Sequence, residues 1–201
     1  MGVHVMDEAE RCLNCKKPMC QQGCPVHTPI PKIIQAFKDK KLAEAGNELF
    51  ENNPLSVVCS IVCNHEKQCE GHCVLGKKGK PIHFSSIENF ISEAWLERRE
   101  TPMAEKKGIR AAVIGSGPAG ITVAVELAKH GFDVTVFESR DKIGGVMQYG
   151  IPEFRLPKKI VAGEVEKLSA LGVEVMTNMV IGRVLSVDEL MEMGFEAVFI
   201  G

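Results

Sequence analysis

The cysteines of this sequence are confined to its first part. All eight lie between Cys12 and Cys73 in a chain of 201 residues. They form two groups of four, one in RCLNCKKPMCQQGCP (residues 11–25) and one in CSIVCNHEKQCEGHC (residues 59–73). Clustered cysteines are linked to each other by disulfides or through a shared metal site, and either link restricts the conformation of the loops between them. The asymmetry predicts two domains with different chemistry.

Three kinds of site are compatible with these cysteines. The N-terminus lacks the segments of a secretion signal, and no apolar run reaches the roughly 18 residues of a membrane span. We therefore expect a cytoplasmic protein without a membrane, where thiols bind metal more often than they form disulfides. Neither group consists of the paired CxxC knuckles typical of zinc ribbons, although spacing alone leaves tetrahedral zinc open.

The first group is similar to the CxxCxxCxxxCP run of bacterial ferredoxins, with two residues added before the third cysteine. In that run, three thiolates bind one 4Fe–4S cluster and the fourth binds a neighbouring cluster. By this logic Cys12, Cys15 and Cys20 hold one cluster, while Cys24, followed by Pro25, joins a second. Two iron–sulfur clusters are the preferred interpretation over zinc or disulfides.

Apolar residues recur at helical spacing around the cysteine groups. In TPIPKIIQAFKDK, Thr28 is the predicted N-cap and Pro29 the first helical residue. A second, weaker stripe ends before Pro54. In SSIENFISEAWLERR one helical face carries Ile87, Phe90, Ile91, Ala94 and Trp95. We expect residues 1–100 to form a small α-helical domain whose thin core depends on the clusters for much of its folding energy.

A nucleotide-binding fingerprint follows a polar, non-periodic linker at residues 101–109. In GSGPAG, the GxGxxG glycines are Gly115, Gly117 and Gly120, after a short apolar strand and at the start of a helix. They permit a tight turn, the approach of backbone amides to a pyrophosphate, and close packing of helix on strand. The next strand, FDVTVFE, ends in Glu138, whose carboxylate is predicted to accept hydrogen bonds from ribose hydroxyls.

Two features favour FAD as the dinucleotide. Glu138 would repel the 2′-phosphate of NADP, and a second glycine pair fits a long, flat cofactor lying against the backbone. We therefore predict a partial α/β, Rossmann-like FAD-binding domain over residues 110–201. The candidate cofactor-binding residues in these motifs are Gly115, Gly117, Pro118, Ala119, Gly120, Glu138, Gly144 and Gly145.

The charge pattern gives no stripe for nucleic acid. The formal net charge is −2, and basic residues are spread through both halves of the chain. The run KKGK at residues 77–80 is predicted to be a solvated loop. We expect no nucleic-acid partner.

Together with YGIPEFRLPK, these motifs resemble one enzyme family along nearly the whole chain. It is the family of the small, FAD-containing subunit of NADPH-dependent glutamate synthase. The same module occurs in dihydropyrimidine dehydrogenase and in subunits of ferredoxin:NADP transhydrogenase and sulfide dehydrogenase. The resemblance implies that NAD(P)H reduces FAD by hydride transfer and that two 4Fe–4S clusters pass single electrons to a large partner subunit. It leaves the terminal acceptor and the choice of NADH or NADPH open.

The resemblance also implies a set of ligands for each cluster. One cluster takes Cys12, Cys15, Cys20 and Cys73. The other takes Cys24, Cys63, Cys69 and, as its fourth ligand, Glu88. Cys59 is then a thiol beside the cluster. The alternative is that Glu88 forms a capping box with Ser85 at the start of its helix and that Cys59 completes an all-cysteine set.

Three further residues are carried over from the flavin contacts of the family. They are Val146, Arg155 and Ile181, and the alternative for each is a core or surface position without a ligand. The family's chain continues into a second Rossmann domain for NAD(P)H, whereas this sequence stops at EAVFIG, so we expect an N-terminal fragment that is inactive by itself. The rival function is an electron-carrier module without stable flavin. A flavin disulfide reductase is disfavoured because no cysteine follows Cys73.

Overall fold

A computed structural model describes residues 4–98 and 104–201 of the protein. The chain falls into two compact units, residues 1–98 and residues 99–201. The predicted linker begins within residues 99–103, which lie outside the described residues. None of the described helices is both long and apolar enough to cross a membrane.

The first unit is α-helical. Its helices are α1 (Val5–Glu10), α2 (Met19–Gln22), α3 (Ile30–Lys38), α4 (Leu42–Asn52), α5 (Ser56–Val62) and α6 (Phe84–Arg98), with short 3-10 helices at Glu70–His72 and Val74–Lys77. The core side chains are almost completely buried and include Ile33, Ile34, Leu49, Ile87 and Ile91. Apart from Cys20 and Cys59, the cysteines lie in the connections around this core.

The start of α3 differs from the prediction. The helix spans Ile30–Lys38 and its N-cap is Pro29, which the sequence placed inside the helix. The predicted N-cap, Thr28, is buried and does not cap the helix. The Thr28 hydroxyl lies 3.3 Å from the Sγ atom of Cys24. Thr28 therefore hydrogen bonds with a cysteine of the first group instead of capping α3.

The buried face of α6 is narrower than predicted. Ile87 and Ile91 are buried in the core, but the Phe90 side chain is 46% exposed. The Phe90 ring meets Phe37 edge-on, with 5.6 Å between ring centroids. Further along α6, the half-buried Trp95 stacks on a ring of α4 rather than entering the centre of the core.

The second unit is a four-stranded parallel sheet with helices in its connections. The strands are β1 (Arg110–Ile114), β2 (Asp133–Phe137), β3 (Glu174–Met176) and β4 (Ala197–Ile200). The helices are α7 (Pro118–Lys129), α8 (Val146–Tyr149), α9 (Lys158–Ala170) and α10 (Val187–Glu192). The strand order is β3-β2-β1-β4, with Ala111 of β1 aligned with Val134 of β2 and Ala197 of β4. A Rossmann sheet begins with this order.

This topology positions the dinucleotide motifs. Because the strands are parallel, the carboxyl ends of β1 and β2 lie at the same edge of the sheet. The glycine loop follows β1 there, and Glu138 directly follows β2. In open α/β sheets, ligands bind at this edge.

Candidate iron–sulfur and dinucleotide sites

Five thiols line one cavity in the first unit. Four of them, which we call the first thiol set, are Cys12, Cys15, Cys20 and Cys73, and the fifth is Cys69. Much of the remaining wall is apolar and includes Leu13, Met19, Ile30, Ile34, Val74, Leu75, Ile82 and Phe84. Cys73 follows the 3-10 helix Glu70–His72, which packs on α2 and so brings this distant cysteine to the first group.

Burial and mutual proximity disfavour free thiolates in the first thiol set. Burial raises the pKa of Cys12, and the neighbouring Cys15 and Cys73 raise it further. Burial likewise raises the pKa of Cys20 to about 11. Four thiolates around one apolar cavity need a cationic group between them, which an iron–sulfur cluster supplies.

The structure brings the remaining predicted ligands to a second place in the same unit. They are Cys24, Cys63, Cys69 and Glu88, which we call the second thiol set. Burial raises the pKa of Cys69 to about 12, and the charges of Glu88, Glu70 and Cys24 add to that effect. The pKa of Cys63 is lowered by a hydrogen bond with Cys59, against burial and the charges of the rest of the set.

Glu88 is a buried carboxylate without a hydrogen-bond donor. Its side chain on α6 is only 5% exposed, and no residue in the described ranges donates a hydrogen bond to it. Burial, followed by the charges of Cys59 and Glu70, raises the pKa of Glu88 well above its usual range. Buried carboxylates are ordinarily hydrogen-bonded or bound to a metal. The surroundings of the Glu88 carboxylate are therefore those expected of the fourth cluster ligand.

The capping box predicted for Ser85 and Glu88 is not formed. The helix α6 already begins at Phe84. Both the backbone N–H and the hydroxyl of Ser85 donate to Oε1 of Glu70, at 2.9 and 2.6 Å. Ser85 is thus bound to Glu70, and the helix-capping alternative for Glu88 is wrong.

Cys59 lies beside the second thiol set. It is part of α5 and is half-buried. Its Sγ atom accepts a hydrogen bond from Nδ2 of Asn53 at 3.2 Å, and it also hydrogen bonds with Cys63. Both candidates for the fourth ligand, Cys59 and Glu88, are therefore present at this place.

The side chains do not converge as they would on a single ion. Within residues 4–98 and 104–201, no three His, Cys, Asp or Glu side chains meet in the way one metal ion requires. A cubane spreads its ligands over iron atoms at separate corners, so its thiolates do not meet at one point.

In the second unit, the glycines of the two predicted cofactor-binding segments differ in whether the surrounding chain leaves room for a side chain. A Cβ atom at Gly120 would lie 2.0 Å from the carbonyl oxygen of Gly115, and one at Gly145 would lie 2.6 Å from Cα of Gly117. These two glycines are required by the chain itself. Gly117, the N-cap of α7, has an ordinary φ of −68°, and a Cβ there would meet nothing within 4 Å. The space beside Gly117 at the helix N-terminus is therefore open to a ligand.

Glu138 and Ser116 hold the glycine loop in place. Ser116 is completely buried, and both its N–H and its hydroxyl donate to Oε2 of Glu138. Oε1 of Glu138 accepts from the Ser139 hydroxyl at 3.1 Å and from the Arg140 N–H at 2.8 Å. The N–H of Gly144 lies within hydrogen-bond distance of both the hydroxyl and the carbonyl oxygen of Ser116. The carboxylate predicted to bind ribose thus accepts hydrogen bonds from four protein donors. The sequence analysis did not identify Ser116 as a residue of this site.

The comparisons with known proteins agree with this division of the chain. Residues 2–100 match the family described as "Dihydroprymidine dehydrogenase domain II, 4Fe-4S cluster", and residues 113–157 match "NAD(P)-binding Rossmann-like domain". The chain is 33% identical to the glutamate synthase (NADPH) small chain of Escherichia coli K12 over 197 residues, which are 96% of this chain and 42% of that protein. The chain is thus similar to this small chain along almost its whole length.

Other proteins that are similar to this chain have different names. The NAD-dependent dihydropyrimidine dehydrogenase subunit PreT of Salmonella typhimurium is 35% identical over 188 residues, covering 91% of this chain and 45% of that protein. The putative oxidoreductase AegA of Escherichia coli K12 is 34% identical over 198 residues, covering 96% and 30%. The chain spans less than half the length of these curated relatives. The predicted succession of a helical iron–sulfur domain and a Rossmann-like domain is confirmed.

The other predicted cofactor-binding residues differ in their surroundings. Val146, the first residue of α8, follows Gly145 directly and is 56% exposed. Arg155 is exposed, and no hydrogen bond or ion pair within the described residues joins its side chain to the glycine loop. Ile181 packs against the apolar cluster around Phe137. Pro118 and Ala119 form the first turn of α7, next to the open space.

Lys158 is a further residue that the sequence analysis did not single out. It is the last residue of YGIPEFRLPK, and its Nζ atom donates to the carbonyl oxygens of Met147 at 2.7 Å and Ile151 at 2.5 Å. Cations near a helix C-terminus bind such unpaired carbonyls. Lys158 therefore stabilises the C-terminal end of α8, the helix that follows Gly144 and Gly145.

Proposed function

We propose that this chain is the electron-input part of an NAD(P)H-dependent iron–sulfur flavoprotein of the glutamate synthase type. When bound, FAD would take a hydride from NAD(P)H, and two 4Fe–4S clusters would carry its electrons singly to a large partner subunit. The observation that carries the proposal is the arrangement of the first unit. One cavity is lined by the four thiols of the first set and by Cys69, and Cys69 also belongs to a second group of three thiols around a buried carboxylate, Glu88, that has no hydrogen-bond donor among the described residues.

The two sets would bind their clusters differently. The first thiol set offers four cysteines, whereas the second offers three cysteines and Glu88. A carboxylate donates less charge to iron than a thiolate does, and ligand type and local charge set cluster potentials. Unequal potentials would give the electron path a direction. Cys59, which hydrogen bonds to Cys63, would orient that ligand.

The dinucleotide would lie along the carboxyl edge of the sheet. The open side of Gly117 admits a pyrophosphate to the N-terminus of α7, where unpaired backbone N–H groups favour negative charge. Glu138 would accept a hydrogen bond from a ribose hydroxyl if the hydroxyl of Ser116 or Ser139 rotated away from the carboxylate. A second candidate for this space is NAD(P), because the matching family is described as NAD(P)-binding. We favour FAD because Gly144 and Gly145 lie against the same loop.

The partner and the compartment belong to the same proposal. One relative is named as a small chain and another as a subunit, so a larger subunit is the expected electron acceptor. We favour the glutamate synthase type over the PreT type because that small chain matches 96% of this chain and PreT matches 91%. All eight cysteines are free thiols, which is consistent with a reducing cytoplasm.

The test is a cofactor analysis of the full-length protein purified without oxygen. The proposal predicts about eight iron and about eight sulfide per chain, one released FAD, and reduction of flavin and clusters on addition of NADPH or NADH. Two zinc atoms without sulfide would end the cluster assignment. Clusters without flavin would favour the electron-carrier function, and a released nicotinamide dinucleotide in place of FAD would favour the second candidate.

A further inference from the structure

A further buried carboxylate, Glu70, lies in the chain between the two sets of predicted cluster ligands. It begins the 3-10 helix Glu70–His72, which is flanked by Cys69 of the second thiol set and Cys73 of the first. The Glu70 residue is only 5% exposed, although it is not one of the predicted ligands. Burying a carboxylate is unfavourable unless it is hydrogen-bonded, so the partners of Glu70 indicate what it does.

The Glu70 side chain joins the 3-10 helix to the start of α6. Its Oε1 atom accepts hydrogen bonds from the backbone N–H and the hydroxyl of Ser85, at 2.9 and 2.6 Å. Its Oε2 atom lies 3.3 Å from Nδ1 of His83. Ser85 precedes Glu88 on α6 by less than one helical turn. Glu70 therefore links the segment between the two flanking cysteines to the helix that carries Glu88.

Glu8 of α1 is a buried carboxylate of the same unit with different partners. Its Oε1 atom accepts from the backbone N–H of His83 at 2.8 Å and from the Arg11 guanidinium at 2.7 Å. The charge of Glu8 is thus compensated by an arginine. Among the residues that the structure describes, no Lys or Arg forms an ion pair with Glu70, whose only ion-pair candidate is His83.

The charge of Glu70 acts on the second thiol set. Burial raises the pKa of Cys69 most, and the charges of Glu88 and then of Glu70 raise it further. Burial, followed by the charges of Cys59 and Glu70, likewise raises the pKa of Glu88. In the first thiol set, by contrast, the charges that raise the cysteine pKa values are those of other thiols of that set.

We propose that Glu70 is a positioning residue of the second thiol set, which holds the start of α6 in place and lowers the reduction potential of the cluster bound there. This inference rests on the proposed function and adds a residue to it. A one-electron reduction makes a cluster more negative by one charge, so a buried negative charge nearby opposes it. Glu70 would thereby contribute to the difference in potential between the two clusters.

The experiment is a redox titration of the anaerobic, full-length holoenzyme with dithionite, in which EPR spectroscopy follows each cluster. Glu70→Gln removes the charge and keeps an oxygen that can accept from Ser85, whereas Glu70→Asp keeps the charge. Glu70→Ala removes the charge and the hydrogen bonds to Ser85. The matched control is Glu8→Gln, in the buried carboxylate that pairs with Arg11. Iron and sulfide contents report whether clusters are retained, and the signal that Glu88→Cys changes identifies the second thiol set.

The proposal predicts that Glu70→Gln keeps its iron and favours reduction of the second-set cluster by about tenfold or more, which is about 59 mV for one electron. The other cluster, and both clusters of Glu8→Gln, should stay within about twofold of wild type. Glu70→Asp should stay within about threefold. Glu70→Ala should lower the iron content from about eight towards about four per chain, because α6 loses its attachment to the 3-10 helix.

Several results would overturn the proposal. They are an unchanged potential in iron-replete Glu70→Gln, equal shifts of both clusters, an equal shift in Glu8→Gln, and wild-type iron content and signals in Glu70→Ala. If Glu70→Gln loses iron, Glu70→Asp decides, because wild-type iron and potential there support the need for a charge and loss of iron from both variants contradicts it. Wild-type protein without iron and sulfide would overturn the proposed function as well, whereas retained clusters with an unchanged potential overturn only this inference.

Discussion

Glu88 in the first unit and Glu138 in the second are equally buried, at 5% exposure each, but their surroundings are opposite. Among the described residues, Glu88 has no hydrogen-bond donor, and burial raises its pKa. Glu138 has four donors from three residues, and its pKa is lowered because the hydrogen bonds from Ser116, Arg140 and Ser139 outweigh burial. The described residues stabilise the charge of Glu138 but not that of Glu88, as expected if Glu88 is a ligand of a cluster.

The contrast extends from these side chains to their units. The glycine loop of the second unit is fixed by Ser116, Glu138 and Gly144, so this site is formed before any ligand binds. Most thiols of the first unit lie in the connections between helices, and as thiolates those of the first thiol set would repel each other. We therefore expect the first unit to need its clusters in order to fold. We expect the second unit to fold without its dinucleotide and to need that cofactor only for activity.

The largest expected effect comes from a pair of glycines in the second unit. Gly120→Val should destabilise that unit by more than about 4 kcal/mol, because its Cβ would lie 2.0 Å from a backbone oxygen. Gly117→Val should cost only about 1 kcal/mol or less, as a poorer N-cap, but should abolish FAD binding while leaving iron content unchanged. Thermal unfolding and flavin content of the full-length protein measure both. Equal destabilisation by the two variants would show that Gly117 serves the fold and not a ligand.

The next effect separates Glu88 from Cys59. Glu88→Ala should lower the iron content from about eight towards about four per chain, or leave a labile three-iron centre. Glu88→Cys should restore the cluster with a shifted potential, because a thiolate donates more charge than a carboxylate does. Cys59→Ser is the matched control and should leave iron content and both reduction signals almost unchanged. The opposite pattern, a cluster lost from Cys59→Ser and retained in Glu88→Ala, would support the all-cysteine set.

A smaller effect concerns acid stability and Glu138. Since its folded pKa is lowered, Glu138 stabilises the second unit above its unfolded pKa of about 4.3, and this contribution is lost as the pH falls through the lower folded pKa. Glu138→Gln should remove about 1.5 to 3 kcal/mol near neutral pH and flatten the loss of stability on acidification. Denaturant unfolding of both proteins from about pH 6 to about pH 3 measures this. Parallel pH profiles would mean that Glu138 does not carry the stabilisation.

The smallest effect is expected at the end of α8. Lys158→Met should destabilise the second unit by about 1 kcal/mol, because two carbonyl oxygens lose a charged donor. Lys159→Met, at the exposed neighbouring residue, is the control and should change stability by less than about 0.5 kcal/mol. Equal effects would show that the two carbonyl contacts contribute nothing measurable.

Much of the fold could be predicted from local pattern. The succession of β1, the glycine loop, α7 and β2 has a fixed spacing set by the geometry of the strand-helix turn, and the structure follows it. The apolar spacing of α3 and α6 likewise marked part of the core of the first unit. Phe90 shows the limit, because periodicity identifies a face but not how much of that face a neighbouring helix covers.

The sites were less accessible to sequence reasoning. Spacing joined Cys12, Cys15 and Cys20, but the approach of Cys73 depends on packing of a 3-10 helix against α2, which no local pattern encodes. Ser116 occupies a variable position of the fingerprint, so its hydrogen bonds to Glu138 became visible only in three dimensions.

The most direct test of the contrast is residue-resolved hydrogen exchange of the full-length protein with its clusters and after their anaerobic removal. The account predicts that amides in residues 11–25 and 56–83 lose protection worth several kcal/mol, the scale of structural metal sites. Amides in β1, α7 and β2 should keep theirs to within about tenfold, or about 1.4 kcal/mol. Unchanged protection in the cysteine segments, or equal loss in both units, would contradict the claim that only the first unit is completed by a group from outside the chain.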